Sequence, residues 1–249
     1  MVIGGVRRAA MLAADVERRV RRRDVFAAVG GLAAGAAAAG IPLALTSSGP
    51  VSAEPTPGED LMSEHGLLVR ILLIYRDQLA RFQSAGQVDA GHLHDAALII
   101  HDYIEGFHEI LEEEFVFPSL LDAGQLTSTI MTLLLQHGRG RQVTELILTT
   151  AAGGGVVRGA TAATLARAIG LFVTMYEPHE AREDTVIYPA YRKLLSPADV
   201  ADLSDRFASL QSQQFGPNAF AEMVGKVVVI EQALGIYDLN RFTPPSVSS

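Results

Sequence analysis

The sequence contains no cysteine. This absence excludes disulfides, iron–sulfur clusters, thiolate zinc sites and a lipidated cysteine anchor. Any metal ion that the chain binds must therefore be held by histidine and carboxylate side chains. Aromatic residues make up only 6% of the chain, and Val and Ile are infrequent outside short stretches, whereas Ala and Leu are frequent. This composition favours helices over strands.

Clusters of basic residues are also missing from most of the chain. Residues 1–53 carry seven Arg against three acidic residues, and the remaining residues carry 13 basic and 25 acidic side chains, a net charge of −12. An acidic body of this kind argues against nucleic-acid binding. It is compatible with cation binding, and also with the commoner case of a solvated acidic surface. The chain has no Walker loop, dinucleotide fingerprint or nucleophile elbow.

The N-terminal segment has the order of an export signal. Three arginines at 21–23 precede an uncharged run over 25–52, and the small residues at 51–53 are similar to a cleavage site. The segment RRRDVFAAVGG resembles a bacterial twin-arginine signal, the kind that exports folded proteins. We therefore expect residues 1–53 to direct export across the cytoplasmic membrane. An uncleaved anchor is the alternative, since about 20 apolar residues can span a bilayer, but Pro42 and the many glycines weaken it.

Beyond a Pro- and Gly-rich linker, apolar residues recur at helical spacing. The pattern predicts four helices, over roughly 59–85, 90–116, 125–151 and 160–188, the second ending at Pro118 and the fourth before Pro189. Two shorter helices are expected over roughly 197–213 and 218–234. Short connections between helices predict antiparallel neighbours. The predicted fold is all-α, an up-down-up-down four-helix bundle over 59–195 with a C-terminal helical extension over 196–249.

An internal repeat carries the strongest functional signal. The segment FHEILEEEFVFP over 107–118 matches PHEAREDTVIYP over 178–189, at an offset of 71 residues. In both, a His is followed by a Glu four residues later, by an aromatic residue nine later and by a Pro ten later. A further His lies upstream of each segment, and these two, His65 and His137, are 72 residues apart. The chain therefore reads as two helical hairpins, each with one His and one His-x-x-x-Glu pair.

The spacing of the repeat predicts a metal site. Residues four apart lie above one another on a helix face, so each His-x-x-x-Glu pair can point into the bundle interior. One such pair alone would be explained better by a surface salt bridge or a core His. Two pairs and two further His can be satisfied together by metal ions, which offset the desolvation cost of burying them. The predicted ligands are His65, His108, Glu112, His137, His179 and Glu183.

At these residues the chain resembles the hemerythrin-like, cation-binding HHE family, over about residues 59–195. The segments MSEHGLL and LLLQHGRGR and the two His-x-x-x-Glu pairs carry the resemblance. It implies a non-haem centre of two iron ions that interacts with oxygen, peroxide or nitric oxide. Glu109 and Glu180 stand where the family has the second His of a paired HH, and they are candidate extra ligands. Because oxygen-rich ligation is less selective for iron, manganese and zinc are alternatives.

Three further residues are candidates for a supporting role behind the ligands. Arg141 stands where oxygen-carrying members have a further His; if its helix is continuous it faces the site and can donate hydrogen bonds to an anion. Outward pairing with a surface carboxylate is the alternative. Tyr176 lies one turn before His179, and His101 lies seven residues before His108, which places both near the ligand stripe. Ordinary packing or surface positions are the alternatives for these two.

Two functions fit this reading. The first is a redox enzyme that consumes peroxide, and the second is a non-catalytic module that senses, carries or stores oxygen, nitric oxide or iron. Arg141 in place of a His favours chemistry or metal binding over oxygen carriage. A purely structural bundle would not explain the repeat. We expect no nucleic-acid partner, and membrane contact only through the N-terminal segment if it is not cleaved.

Overall fold

A computed structural model describes residues 55–246 of the protein. These residues are helical almost throughout and include two strands of three residues each. The all-α prediction is therefore confirmed. The predicted export signal over 1–53 lies outside the described residues. Within the range that the structure covers, no helix is both long and apolar enough to cross a membrane.

The first helix, α1 (Pro57–Ala85), begins and ends at its sequence signals. The hydroxyl of Thr56 accepts a hydrogen bond from the backbone N–H of Glu59, whose side chain accepts one from the Thr56 N–H, which makes a capping box. Gly86 follows with a φ of 63°, the left-handed conformation that suits glycine at a helix C-terminus. The predicted range of 59–85 is confirmed.

The second helical rod, α2, changes its hydrogen-bonding pattern along its length. It runs over 90–122 as α-helix (Ala90–Ile99), π-helix (Ile100–His108), α-helix (Glu109–Leu111), π-helix (Glu112–Val116) and α-helix (Phe117–Asp122). In a π turn the backbone bond spans five residues instead of four, which widens the helix. The prediction that this helix ends at Pro118 is wrong, because the rod continues for four residues beyond it.

The fourth rod, α4, repeats this feature. It runs over 159–194 as α-helix (Gly159–Arg182), π-helix (Glu183–Ile187) and α-helix (Tyr188–Leu194). In both rods the residue before the proline, Phe117 or Tyr188, bonds to the carbonyl five residues back. The proline then stands at the start of an α segment, where a missing N–H is tolerated. The prediction that the fourth helix ends before Pro189 is therefore also wrong.

The third helix, α3 (Thr127–Ala151), completes a ring of four helical rods. α1 and α3 each pack against both α2 and α4. Two strands that the sequence pattern did not predict, β1 (Gln87–Asp89) and β2 (Val156–Arg158), pair antiparallel and bring the α1–α2 link beside the α3–α4 link. Three residues are too few to show the alternation by which strands are recognised.

The two C-terminal helices pack on the outside of this bundle. α5 (Pro197–Phe215) and α6 (Ala219–Leu234) both contact α1, and α6 also contacts α2. The guanidinium of Arg70 on α1 forms two hydrogen bonds with the carboxylate of Glu231 on α6. Both helices were predicted within two residues of their observed ends.

Candidate metal centre

The six predicted ligands come together in the interior of the bundle. α1 contributes His65, α2 contributes His108 and Glu112, α3 contributes His137, and α4 contributes His179 and Glu183. All six are at most 3% exposed. Their donor atoms form two groups of three within 4.8 Å of one another, and we name these the first half-site (His65, His108, Glu112) and the second half-site (His137, His179, Glu183). Each half-site is built from one helical hairpin, as the repeat predicts.

In the first half-site, both imidazoles are fixed through their Nδ1 atoms. His65 Nδ1 lies 2.7 Å from the Asp184 carboxylate, and His108 Nδ1 lies 2.9 Å from Glu64 Oε2. Carboxylates only accept hydrogen bonds when ionised, so each Nδ1 must carry the proton. The lone pair of each imidazole is therefore on Nε2, and these two Nε2 atoms face each other at 3.1 Å.

The second half-site has the same arrangement. His137 Nδ1 lies 2.9 Å from Glu113 Oε1, and His179 Nδ1 lies 2.9 Å from Gln136 Oε1. The Nε2 atoms of these two imidazoles are 3.2 Å apart. Two unprotonated nitrogens at this distance repel each other unless a cation or a proton lies between their lone pairs. The sequence analysis did not identify any of the four oxygen partners of the histidines.

The two carboxylates lie between the half-sites. Glu112 Oε2 is 3.6 Å from His108 Nε2 and 3.5 Å from His137 Nε2. Glu183 Oε2 is 3.1 Å from His179 Nε2 and 3.4 Å from His65 Nε2. Each carboxylate therefore lies beside one imidazole of each half-site and would be available to cations held in either of them.

Among the six predicted ligands, three carboxylate oxygens lack a hydrogen-bond partner. They are Glu112 Oε2 and both oxygens of Glu183, and both residues are fully buried. Burial and the negative charge of Glu183 raise the pKa of Glu112 well above its usual range. Burial also opposes ionisation of Glu183, but its contacts with His179 and His65 lower its pKa. Four imidazole nitrogens and three unpartnered carboxylate oxygens fit a centre of metal cations, which would allow both carboxylates to be ionised.

Tyr188 is a site residue that the sequence analysis missed. Its hydroxyl donates a hydrogen bond to Glu112 Oε1 at 2.7 Å and lies 3.3 Å from His65 Nε2. Its ring stacks on His65 with centroids 5.5 Å apart, and Phe117 stacks on His137 at 5.7 Å. Tyr188 and Phe117 are the aromatic residues nine positions after the His of each repeat. The repeat therefore contained the sequence signal for both aromatic residues. Of the two, only Tyr188 has a hydroxyl group.

Arg141 donates to carboxylates behind the centre and not to a group inside it. Its guanidinium lies 2.7 Å from Glu109 Oε2 and 2.8 Å from Glu113 Oε1. Glu113 in turn accepts the Nδ1 proton of His137. Arg141 therefore acts on the carboxylates of Glu109 and Glu113, which lie behind His137 on the neighbouring rod α2. It is not paired with a surface carboxylate either, since Glu109 is buried.

The two candidate extra ligands differ in their surroundings. Glu109 is held by the hydroxyl of Tyr176, which donates to Oε1 at 2.7 Å, as well as by Arg141. Tyr176 therefore supports the site through Glu109. Glu109 and Glu180 are both buried and both line the central cavity, but Oε1 of Glu180 has no partner, whereas both oxygens of Glu109 are contacted by Tyr176 or Arg141. Burial raises the pKa of Glu180 to about 8. The geometry thus favours Glu180 over Glu109 as an additional ligand.

His101 lies away from the centre, so its expected supporting role is wrong. Its side chain is 53% exposed and its Nδ1 lies 2.7 Å from the carboxylate of its neighbour Asp102. The expectation assumed α-helical spacing between His101 and His108. This stretch is π-helical, and residues seven apart do not stay on one face when each turn is wider.

The fold and the site are those of a helical metal-binding protein, with imidazoles and carboxylates buried in the bundle core as candidate ligands. Residues 56–190 match the hemerythrin HHE cation binding domain, and the chain belongs to this family. The uncharacterized proteins Rv1995 and MT2051 of Mycobacterium tuberculosis and Mb2018 of Mycobacterium bovis are each 44% identical to it over 189 residues. The alignments cover 76% of this chain and 74% of each relative. No solved structure gives a significant match.

Proposed function

We propose that this protein binds two iron ions between its six buried ligands and interacts there with oxygen, peroxide or nitric oxide. The observation that supports this most directly is the pair of buried carboxylates, Glu112 and Glu183, which lie between two pairs of Nε2 atoms and keep three oxygens without a hydrogen-bond partner. An up-down-up-down four-helix arrangement over 59–195 is part of the same proposal. The pairing of β1 with β2 supports it, because it places two of the inter-helix links at one end.

Iron bound here would supply electron transfer to or from a small oxygen or nitrogen ligand. The chain's own residues set the conditions for that chemistry. The Nδ1 partners hold each imidazole in one tautomer and one orientation. The hydroxyl of Tyr188 donates to Glu112 Oε1, and its oxygen lies 3.3 Å from His65 Nε2, so a donor is held beside two ligands of the first half-site. Manganese and zinc are alternatives to iron for this mixed donor set.

Consumption of peroxide is the activity that we propose for the iron-loaded protein. A set of four imidazoles and two carboxylates leaves room in the coordination shell of iron for an exchangeable ligand. The alternative is a non-catalytic module that senses, carries or stores oxygen, nitric oxide or iron. The two differ in turnover: an enzyme removes many equivalents of peroxide, whereas a carrier or sensor changes its state once.

The test is to add hydrogen peroxide in excess to the purified, iron-loaded protein while recording its optical spectrum and the peroxide that remains. We expect a change in the iron absorption together with removal of many equivalents of peroxide per chain. A spectral change without turnover would favour the carrier or sensor. If neither the spectrum nor the peroxide changed, reactivity with peroxide would be refuted. An exposed variant on α2, Glu114→Ala, is the matched control and is expected to behave as the wild type.

We also propose that residues 1–53 export the folded chain across the cytoplasmic membrane by a twin-arginine signal. The arginines at 21–23, the uncharged run and the small residues at 51–53 support this. A buried metal centre suits this route, because a folded protein can acquire its metal before export.

A further inference from the structure

The residues behind the imidazoles belong to the same internal repeat as the ligands. Glu64 precedes His65 in the chain as Gln136 precedes His137, and each contacts the second His of its own hairpin. Glu113 follows Glu112 as Asp184 follows Glu183, and each of these contacts the first His of the other hairpin. The supporting groups are therefore related by the repeat, so a difference between related positions is a difference between the two half-sites.

The first half-site is backed by two carboxylates. Asp184 accepts from His65 and Glu64 accepts from His108. Glu64 is buried, and its other oxygen accepts hydrogen bonds from the hydroxyl of Tyr103 at 2.7 Å and the amide of Gln211 at 3.1 Å. Both donors are neutral, so they hold Glu64 in place and leave its negative charge uncompensated.

The second half-site is backed by less negative charge. The partner of His179 is the neutral amide of Gln136, where the first half-site has Glu64. The partner of His137 is Glu113, but the guanidinium of Arg141 lies 2.8 Å from that carboxylate. The residue that corresponds to Arg141 in the first hairpin is Val69, which has no charge. The formal charge of the backing groups is therefore two negative units in the first half-site and one in the second, where Arg141 is counted with both carboxylates that it contacts, Glu109 and Glu113.

We infer that the two half-sites bind cations unequally, and that the first half-site binds the tighter ion and fills first. This rests on the proposed two-metal function. An imidazole that donates its Nδ1 proton to a carboxylate is a more basic ligand at Nε2 than one that donates to an amide. Two uncompensated anions behind the ligands also favour a cation through the low-dielectric core. Glu64 and Gln136 are the positioning residues that determine the order.

The test uses stepwise addition of Zn²⁺, which is diamagnetic, to the metal-free full-length protein, with the ring signals of the histidines followed by NMR. In the wild type we expect the signals of His65 and His108 to change with the first equivalent and those of His137 and His179 with the second. The two dissociation constants, measured by chelator competition, should differ by about 10–100-fold, the usual effect of partners behind metal-bound histidines.

The decisive variant exchanges the two backing groups. Glu64→Gln combined with Gln136→Glu leaves the composition and net charge of the chain unchanged, and we expect it to reverse the order of filling. A second variant, Arg141→Gln, removes the cation beside Glu113 and so leaves the negative charge of that carboxylate uncompensated. The dissociation constants of the two half-sites should then differ less than in the wild type. The matched control, Glu114→Gln with Gln213→Glu at exposed positions, should keep the wild-type order.

Each outcome separates this inference from the function on which it rests. Two Zn²⁺ ions that bind in one unresolved step in the wild type, or wild-type order in the exchange variant, would overturn the inference alone. Uptake of fewer than two ions per chain would contradict the two-metal site itself. If the exchange variant did not fold by circular dichroism, the order in the wild type and the response of Arg141→Gln would decide.

Discussion

At the scale of single residues, the centre depends on which nitrogen of each imidazole carries a proton. Four oxygen acceptors, on Asp184, Glu64, Glu113 and Gln136, fix that proton on Nδ1. The six ligands could be predicted from the sequence because the His-x-x-x-Glu pair and the His upstream of it each occur twice. The acceptors could not be predicted from spacing within one helix, since each lies on a different rod from the His that it contacts. They were identified from the contacts between the rods.

Glu105 provides a pH-dependent test of the packing between α2 and α3. It is 5% exposed and accepts a hydrogen bond from Thr144 at 2.6 Å. Burial raises the pKa of Glu105 from 4.5 to about 7, against the opposing effect of Thr144. Because the folded state holds this proton more tightly than the unfolded state, the wild type loses stability as the pH rises from about 4.5 to about 7.

We therefore predict that Glu105→Gln, which keeps the acceptor for Thr144, gains stability relative to the wild type as the pH rises. The two should be similar near pH 4.5, and the variant should be more stable above pH 7 by up to about 3 kcal/mol in the free energy of unfolding. Urea denaturation at both pH values measures this. The exposed Glu114→Gln should show no such trend, and a pH-independent difference for Glu105→Gln would disprove the assignment.

At the scale of secondary-structure elements, the π turns are what the sequence pattern could not show. Apolar periodicity predicted that the helices exist and where they begin. Pro118 and Pro189 were wrongly interpreted as signs that their helices end. The structure accommodates both prolines by a π turn directly before each one. These turns begin at Glu112 and Glu183, so the wider part of each rod starts at one of the two carboxylates of the candidate centre. π turns are frequent at functional sites, and here they coincide with the metal centre.

The C-terminal helix α5 is part of the support of the first half-site, although it lies beyond the matched family domain. Gln211 on α5 donates to Glu64 at 3.1 Å and to the hydroxyl of Tyr103 at 2.8 Å. The ring of Phe215, also on α5, lies 5.4 Å from that of Tyr103. The sequence analysis assigned no chemistry to this extension, because nothing in its own pattern points to Glu64.

We predict that Gln211→Leu weakens metal binding at the first half-site by roughly tenfold, because Glu64 loses a donor that fixes it behind His108. Chelator competition with Zn²⁺ measures the effect. Gln213→Leu, on the same helix but bonded only to Ser209, is the control and should leave the affinity unchanged. Equal Zn²⁺ affinities in Gln211→Leu and Gln213→Leu would show that α5 only covers the bundle. A loss of affinity in Gln211→Leu that is explained entirely by its lower stability in urea would show the same.

At the scale of the whole molecule, the chain combines an arginine-rich N-terminal segment with an acidic body. The sequence predicted the all-α class because its composition and periodicity both favour helices. It predicted that the two hairpins pack together, because each copy of the repeat supplies only half of the predicted ligands. The exact contacts at the centre needed the structure, since they depend on long-range packing between rods.

The export proposal also belongs to this scale. Changing both Arg22 and Arg23 to Lys should leave the protein in the cytoplasm, because a twin-arginine signal is recognised by its paired guanidinium groups. Fractionation of cells that express the full-length chain, with an antibody against the folded part, measures the distribution. Changing Arg7 and Arg8 to Lys is the control and should not affect export. Unchanged export of the Arg22/Arg23 variant would remove the twin-arginine proposal.

The central claim is that two metal ions bind between the half-sites through Glu112 and Glu183. The most direct measurement is the metal content per chain of iron-supplemented, purified protein, compared between the wild type, Glu112→Ala/Glu183→Ala and the exposed control Glu114→Ala/Glu145→Ala. We predict two ions per chain in the wild type and in the control, and almost none in the variant without the bridging carboxylates. Well below one ion per chain in the wild type, or full metal content in the variant without Glu112 and Glu183, would contradict the account.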